Sequence, residues 1–358
     1  MKASSPLRSD RPVAIWLLVG VFMIIVQIVL GGITRLTDSG LSITEWKPIL
    51  GSLPPMNEQQ WQEAFEKYKG IAQYKQLHSY FTLENFKSIF FWEWFHRNWG
   101  RFIGIVFIIP FLVFLKQGRF HKGMVRPLVI LFVLGGLQGL IGWIMVASGL
   151  NDEDLYVSHI RLMIHFITAM GLLVYTFWFA LQLLLPQRYG PEPVKGKGLL
   201  IGVLALLVVQ LAYGAFMAGL KAAPVAPTWP DINGSYVPAN MGRHGGQEHG
   251  FLSAMVNDKI AVHFIHRNLA YLLTVLVLVL AFTLRGPHPR LLMARWIPVV
   301  LVLLQVALGV ASVLTSPTKV PQQWGAFEWN AQLHQFVAML LLLSLVYLVY
   351  LSARGARR

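Results

Sequence analysis

The 358-residue chain has no cysteine, which excludes disulfides and thiolate metal sites. It is also poor in charge. Only 13% of its residues are Asp, Glu, Lys or Arg, against about 25% in a soluble domain, and 55% are hydrophobic. Those two figures describe an integral membrane protein. No transit-peptide composition and no small-residue cleavage site accompany the short basic N-terminus, residues 1–11. The first apolar run therefore reads as an uncleaved helix in a bacterial inner membrane.

Eight apolar spans are expected, at 13–33, 94–115, 127–147, 158–184, 199–219, 260–284, 295–314 and 330–351. With both termini placed in the cytoplasm, the inner segments hold 16 Lys and Arg against two acids, Asp10 and Glu192. The outer segments hold 14 of each sign. The whole net charge of +14 then lies on one face, as the positive-inside rule requires, and no nucleic acid is needed to explain it.

The chain repeats itself. Val26-Gln27-Ile28 with Gly31 is matched by Val209-Gln210-Leu211 with Gly214, and Gln138 with Gly142 by Gln305 with Gly309. Phe95-His96-Arg97-Asn98 is matched by Ile265-His266-Arg267-Asn268. Four spans per repeat is an even number, so both repeats start on the same side of the membrane. The expected fold is all-α, with two parallel-repeat four-helix bundles: residues 1–190 and residues 191–358. Two long outer loops, 34–93 and 220–259, occupy equivalent places. In the first, Trp61, Phe65 and Tyr68 recur at helical spacing, which predicts a helix on the membrane surface over 57–69. A similar surface segment is expected over 82–94, before the chain turns into span 2. The second loop reads as irregular.

A lone histidine follows each His-Arg-Asn, His165 after 69 residues and His334 after 68. An intramembrane histidine is costly without a partner, so four at matched places read as two ligand pairs near the outer surface. Paired imidazoles across a helical bundle hold a haem iron, and with two His per site and no thiolates iron is preferred to zinc. Without cysteine, haem would be held by histidine and packing alone.

The halves differ three residues before the first histidine of each pair. Glu93 precedes His96, whereas His263 precedes His266. Residues i and i+3 share a helix face, so Glu93 faces the pocket of His96, where it could take a proton or stabilise positive charge. The alternative is an interfacial ion pair with Arg97 or Arg101. Arg97 and Arg267 could neutralise haem propionates or snorkel to the interface. Small residues such as Gly31, Gly32, Gly135 and Gly136 suit close helix packing. His244 and His249 lie in the second outer loop, where an unliganded polar loop is preferred to a metal site.

Together, Glu93-Trp94-Phe95-His96-Arg97, His165, His266-Arg267-Asn268, His334, Thr44-Glu45-Trp46-Lys47-Pro48 and Thr228-Trp229-Pro230-Asp231 resemble the haem A synthase family. The likeness runs over about residues 13–350 and is to the cysteine-free branch shared by many proteobacteria and mitochondria. It implies an oxidoreductase that converts the C8 methyl of haem O to a formyl group, making haem A for terminal oxidases. It also implies that His266 and His334 hold a permanent, non-covalent haem b, and that His96, His165 and Glu93 form the substrate site. A haem O synthase upstream and an unnamed electron acceptor are the implied partners, and a homo-oligomer stays open. If both histidines remain on the substrate iron, the oxygen comes from water attacking an oxidised methylene; if one leaves, iron could activate dioxygen.

Two other readings remain at this level. A di-haem b electron carrier explains the four histidines but not the Glu93/His263 asymmetry. A transporter suits parallel repeats but lacks a charged or broken helix at mid-membrane.

Overall fold

The computed structural model describes residues 10–46, 50–121, 123–185, 194–243, 250–286, 289–321 and 323–353. In a bilayer every main-chain N–H and C=O must bond within its own segment, so the apolar runs become helices. The long ones are α1 (Arg11–Leu36), α3 (Leu83–Lys116), α4 (Val125–Ala147), α5 (His159–Leu184), α6 (Lys197–Gly219), α8 (Lys259–Thr283), α10 (Ile297–Thr315) and α11 (Ala326–Ser352). Among the described residues, these eight are long and apolar enough to cross a membrane, the seventh being extended by short flanking turns. Three short helices, α2 (Glu58–Lys69), α7 (Phe251–Asn257) and α9 (Pro289–Ala294), lie between them. The chain is thus an all-helical, multi-pass membrane protein, and its spans fall within a few residues of the expected ones, with one exception.

The exception is α3. Residues 82–94 do not form a separate surface helix but the first turns of one 34-residue helix. At 1.5 Å per residue it is about 51 Å long, well beyond a hydrocarbon core of about 30 Å. Thr82 starts it, its side chain and that of Asn85 closing a reciprocal capping box. No residue between 83 and 94 breaks the helix, and its apolar face there has a protein partner. Phe86, Ile89 and Phe90 are buried against Phe65 and Tyr68 of α2. Phe86 stacks on Phe65 at 5.1 Å and on Tyr68 at 5.4 Å. The helix expected over 57–69 therefore exists, but its aromatic stripe faces the projecting part of α3 rather than lipid.

Side by side, α1 packs on α3 and α5, and α4 packs on α5. Among the remaining spans α6 packs on α8 and α11, and α10 on α8 and α11. The two sets meet where α5 touches α6 and where α11 touches α1 and α5. The largest apolar core runs through this meeting line, with Ile28, Leu173, Leu207, Leu280, Met339 and Leu345 buried in it. At Gly32 the α1 backbone meets the amide ends of Gln332 and Gln335 of α11, and a Cβ there would make those side chains move. Beside it, Gln335 donates to the Ile28 carbonyl at 2.8 Å. Gly32 is therefore a packing glycine. Gly135 and Gly136, in contrast, have no neighbouring atoms on their open side.

Candidate functional site

Each expected ligand histidine stands on a long helix and faces the neighbouring helix one before it in sequence. His96 of α3 meets α1, His165 of α5 meets α4, His266 of α8 meets α6, and His334 of α11 meets α10. In all four places the facing helix presents a glycine. A Cβ there would come to 3.2 Å from His96 Cε1 at Gly31, 2.8 Å from His165 at Gly142, 3.5 Å from His266 at Gly214 and 3.0 Å from His334 at Gly309. These are cradles that any larger side chain would fill. One turn before each glycine is a glutamine whose amide nitrogen lies 3.1–3.3 Å from a ring nitrogen of the same histidine. The sequence shows the Gln-x3-Gly spacing, but only the helix pairing reveals its partners.

Two of the histidines come together as a pair. The His266 and His334 rings lie 6.4 Å apart, centre to centre, in an edge-to-face arrangement at 76°. Two metal–imidazole bonds of about 2 Å plus the half-widths of two rings add to roughly 6 Å. This pair therefore leaves room for one metal ion between the rings. Among the described residues no group of three or more His, Asp or Glu could gather on a metal, so a zinc site with three or four protein ligands has no donor set. Two imidazoles over a glycine-lined space fit haem better than a bare ion. His334 directs Nδ1 to the Gln305 main-chain oxygen at 3.0 Å, while its Nε2 lies 3.3 Å from the Gln305 amide nitrogen, which a ligand on Nε2 would displace.

Glu93 is brought into a different arrangement. Its side chain is 3% exposed and takes an ion pair from Arg97, at 2.6 Å. Ser42 Oγ donates to it at 2.7 Å and the Ile43 amide at 2.9 Å. One turn of α3 separates it from His96, and its carboxylate ties α3 to the loop after α1. Of the two cations considered for it, Arg97 is the partner; Arg101 donates to Asn98 Oδ1. Arg97 also donates to the carbonyls of Ile43 and Glu45. Its counterpart Arg267 does the same in the second loop, to the carbonyls of Ala226, Thr228 and Asp231, and to His263 Nδ1 at 3.1 Å. Arg97 thus holds the loop after α1, and Arg267 the loop after α6.

His159 bonds Asn257 at 3.0 Å and Glu328 caps α11 through the Gly325 amide; neither joins a histidine pair. Trp94 donates to the Ser52 carbonyl at 3.0 Å, which pins the first loop. His244 and His249 lie outside the described residues.

An eight-helix membrane bundle with paired histidines at one end belongs to the class of haem-handling membrane proteins. The family profile of the cytochrome oxidase assembly proteins (COX15-CtaA) matches residues 14–346. A haem A synthase of Maricaulis maris is 42% identical over 309 residues, 85% of this chain and 88% of that protein. One from Sphingopyxis alaskensis is 40% identical over 95% of this chain and 92% of its own length. One from a Caulobacter species is 41% identical over 95% and 96%. No solved structure matches. The chain belongs to the haem A synthase family of cytochrome oxidase assembly proteins.

Proposed function

We propose that this protein is a haem A synthase, an oxidoreductase that converts the C8 methyl of haem O to the formyl of haem A. The facing His266 and His334 rings, 6.4 Å apart, are the observation that carries the haem reading. The chain works as two similar four-helix halves, residues 1–190 and 191–358. His266 and His334 hold a resident, non-covalent haem b. His96 and His165 take the iron of the substrate, and the lipid bilayer delivers it. The site end faces the periplasm of a bacterial inner membrane, with both termini cytoplasmic, in line with the charge placement.

Methyl to formyl is a four-electron oxidation. Haem b, when bound, supplies one-electron transfer toward an external acceptor. The protein's own groups hold and orient. His96 and His165 fix the substrate iron from both sides, which keeps dioxygen off the metal while both stay bound. Glu93 spends its lone pairs on Arg97, Ser42 and Ile43, which makes it a fixed negative charge more than a proton acceptor. Such a preorganised carboxylate stabilises positive charge developing on an oxidised methylene before water adds. Arg97 and Arg267 keep the covering loops in place, and their remaining N–H donors are available to propionates at the polar edge. A haem O synthase is the upstream source of substrate.

The test is haem extraction and chromatography from a host that makes haem O and lacks this activity. New haem A with the protein, absent with Glu93→Ala that still carries haem b, supports the reading. Bound haem b with haem O unconverted, at adequate expression and aeration, favours a di-haem electron carrier instead.

A further inference from the structure

Glutamine is an expensive choice inside an apolar bundle, since a buried carboxamide costs free energy unless both its ends are bonded. Four glutamines of the bundle stand against a histidine. The four are not equivalent. The Gln138 oxygen accepts from Thr168 at 2.8 Å, and Gln305 meets His334 with both its main-chain oxygen and its side-chain nitrogen. Gln27 of α1, Gln210 of α6 and Gln305 of α10 all have side-chain oxygens that are buried and unpartnered, but only for Gln305 does a main-chain oxygen already meet the histidine ring. The amide nitrogens of the other two lie against their histidine: Gln27 at 3.3 Å from each ring nitrogen of His96, Gln210 at 3.2 Å from His266 Nδ1. Gln210 also donates to the His266 carbonyl at 3.1 Å.

A neutral imidazole that gives one nitrogen to a metal keeps its proton on the other, and that N–H needs an acceptor. For His334 the Gln305 carbonyl is in place. For His266 and His96 the nearest unpaired acceptor is the carboxamide oxygen that now has no partner. Turning the amide end over exchanges its oxygen and nitrogen. The exchange gains an acceptor for Nδ1–H and gives up the donor to the His266 carbonyl, from which the carboxamide end must turn away.

We propose that Gln27 and Gln210 are positioning residues, each fixing the tautomer and ring orientation of its haem-ligating histidine, His96 or His266, by accepting the ring N–H through its side-chain oxygen. The proposal rests on the reading of His266 and His334 as haem b ligands. A bonded Nδ1–H makes the imidazole a stronger electron donor and favours ferric iron, so Gln210 tunes the resident haem as well as seating it.

The experiment uses purified holoprotein and its Gln210→Met and Gln210→Glu variants. The readouts are haem b midpoint potential and the low-spin electron paramagnetic resonance spectrum of the loaded fraction. The expected result is a low-spin haem in both, with the midpoint potential raised in Gln210→Met and lowered in Gln210→Glu. If the glutamate version loses its haem, the methionine version alone decides the direction. Potential and spectrum unchanged in loaded Gln210→Met overturn the proposal, because a merely structural glutamine would alter occupancy only. A His266→Ala control separates the two levels: if it retains the wild-type low-spin signal, the ligand assignment itself fails, whatever Gln210 does.

Discussion

Asp38, two residues beyond the end of α1, pairs with Lys221, two residues beyond the end of α6. Lys319 approaches the other carboxylate oxygen at 3.4 Å, and the Lys221 ammonium also lies 3.6 Å above the Tyr156 ring. One acid thus gathers two cations from the second helix set, at the end that carries the histidines. Asp38→Asn leaves both ammonium groups half-buried without a counter-charge. The expected cost is about 1–3 kcal/mol, seen as a lower melting temperature in detergent with haem content unchanged at low temperature.

The same cluster sets an acid limit. Burial pushes the Asp38 carboxyl up, but Lys221 and Lys319 outweigh it and hold the group below its ordinary value of 3.8. A depressed carboxylate contributes stability that is full above the unfolded value and lost as pH falls through the folded one. The melting-temperature gap between wild type and Asp38→Asn is therefore expected to be constant from pH 7 to about 5 and to close below about 4.

The α2–α3 cap has its own pH sensitivity at a higher range. His78 is buried, bonded to Tyr68 at 2.6 Å and stacked on Phe81 at 4.0 Å. Burial is the main cause that lowers it from 6.5 to about 4, with Asp38 opposing. A histidine held neutral in the folded state costs stability once the unfolded chain can be protonated, so the cap weakens as pH falls from 6.5 toward 4. Limited proteolysis of the α2 region is expected to rise over that interval, and His78→Gln to remove the rise. Phe86→Ala, deleting the ring between Phe65 and Tyr68, is expected to cost about 3–5 kcal/mol of cap stability at any pH.

Glycine substitutions should separate the two sites. Gly142→Ala would put a methyl 2.8 Å from His165, and Gly309→Ala one 3.0 Å from His334. Neither ring can retreat far within a packed bundle. Gly142→Ala is expected to keep haem b and cut haem A formation at least tenfold. Gly309→Ala is expected to lower haem b occupancy itself, read from the pyridine haemochrome spectrum.

For Glu93, the geometry predicts a charge requirement. Glu93→Gln retains hydrogen-bonding shape toward Ser42 but removes the negative charge beside Arg97. Turnover is expected to fall roughly 100- to 1,000-fold, with haem b occupancy unchanged. Equal loss of haem b and turnover would assign Glu93 to holding the loop rather than to the reaction.

The eight spans were readable from the chain because apolar length is a local pattern, and the four histidines stood out as costly polar residues at fixed intervals within them. Gln27, Gln138, Gln210 and Gln305 were visible as repeats but not as partners, because a period says nothing about which helix stands opposite. The continuity of α3 past residue 94 was missed for a similar reason. An aromatic stripe can face lipid or protein, and the Phe86 contacts with α2 decide it. Glu93 was read as facing the His96 pocket, and its saturation by Ser42, Ile43 and Arg97 depends on a loop whose course has no sequence period.

The division of labour between the two histidine pairs is the central claim. The most direct measurement is haem content and low-spin signal of protein purified from a host that makes haem b but no haem O. The expected result is one bis-histidine haem b per chain, lost in His266→Ala and His334→Ala and retained in His96→Ala and His165→Ala. Haem retained in His266→Ala and lost in His96→Ala would contradict the account.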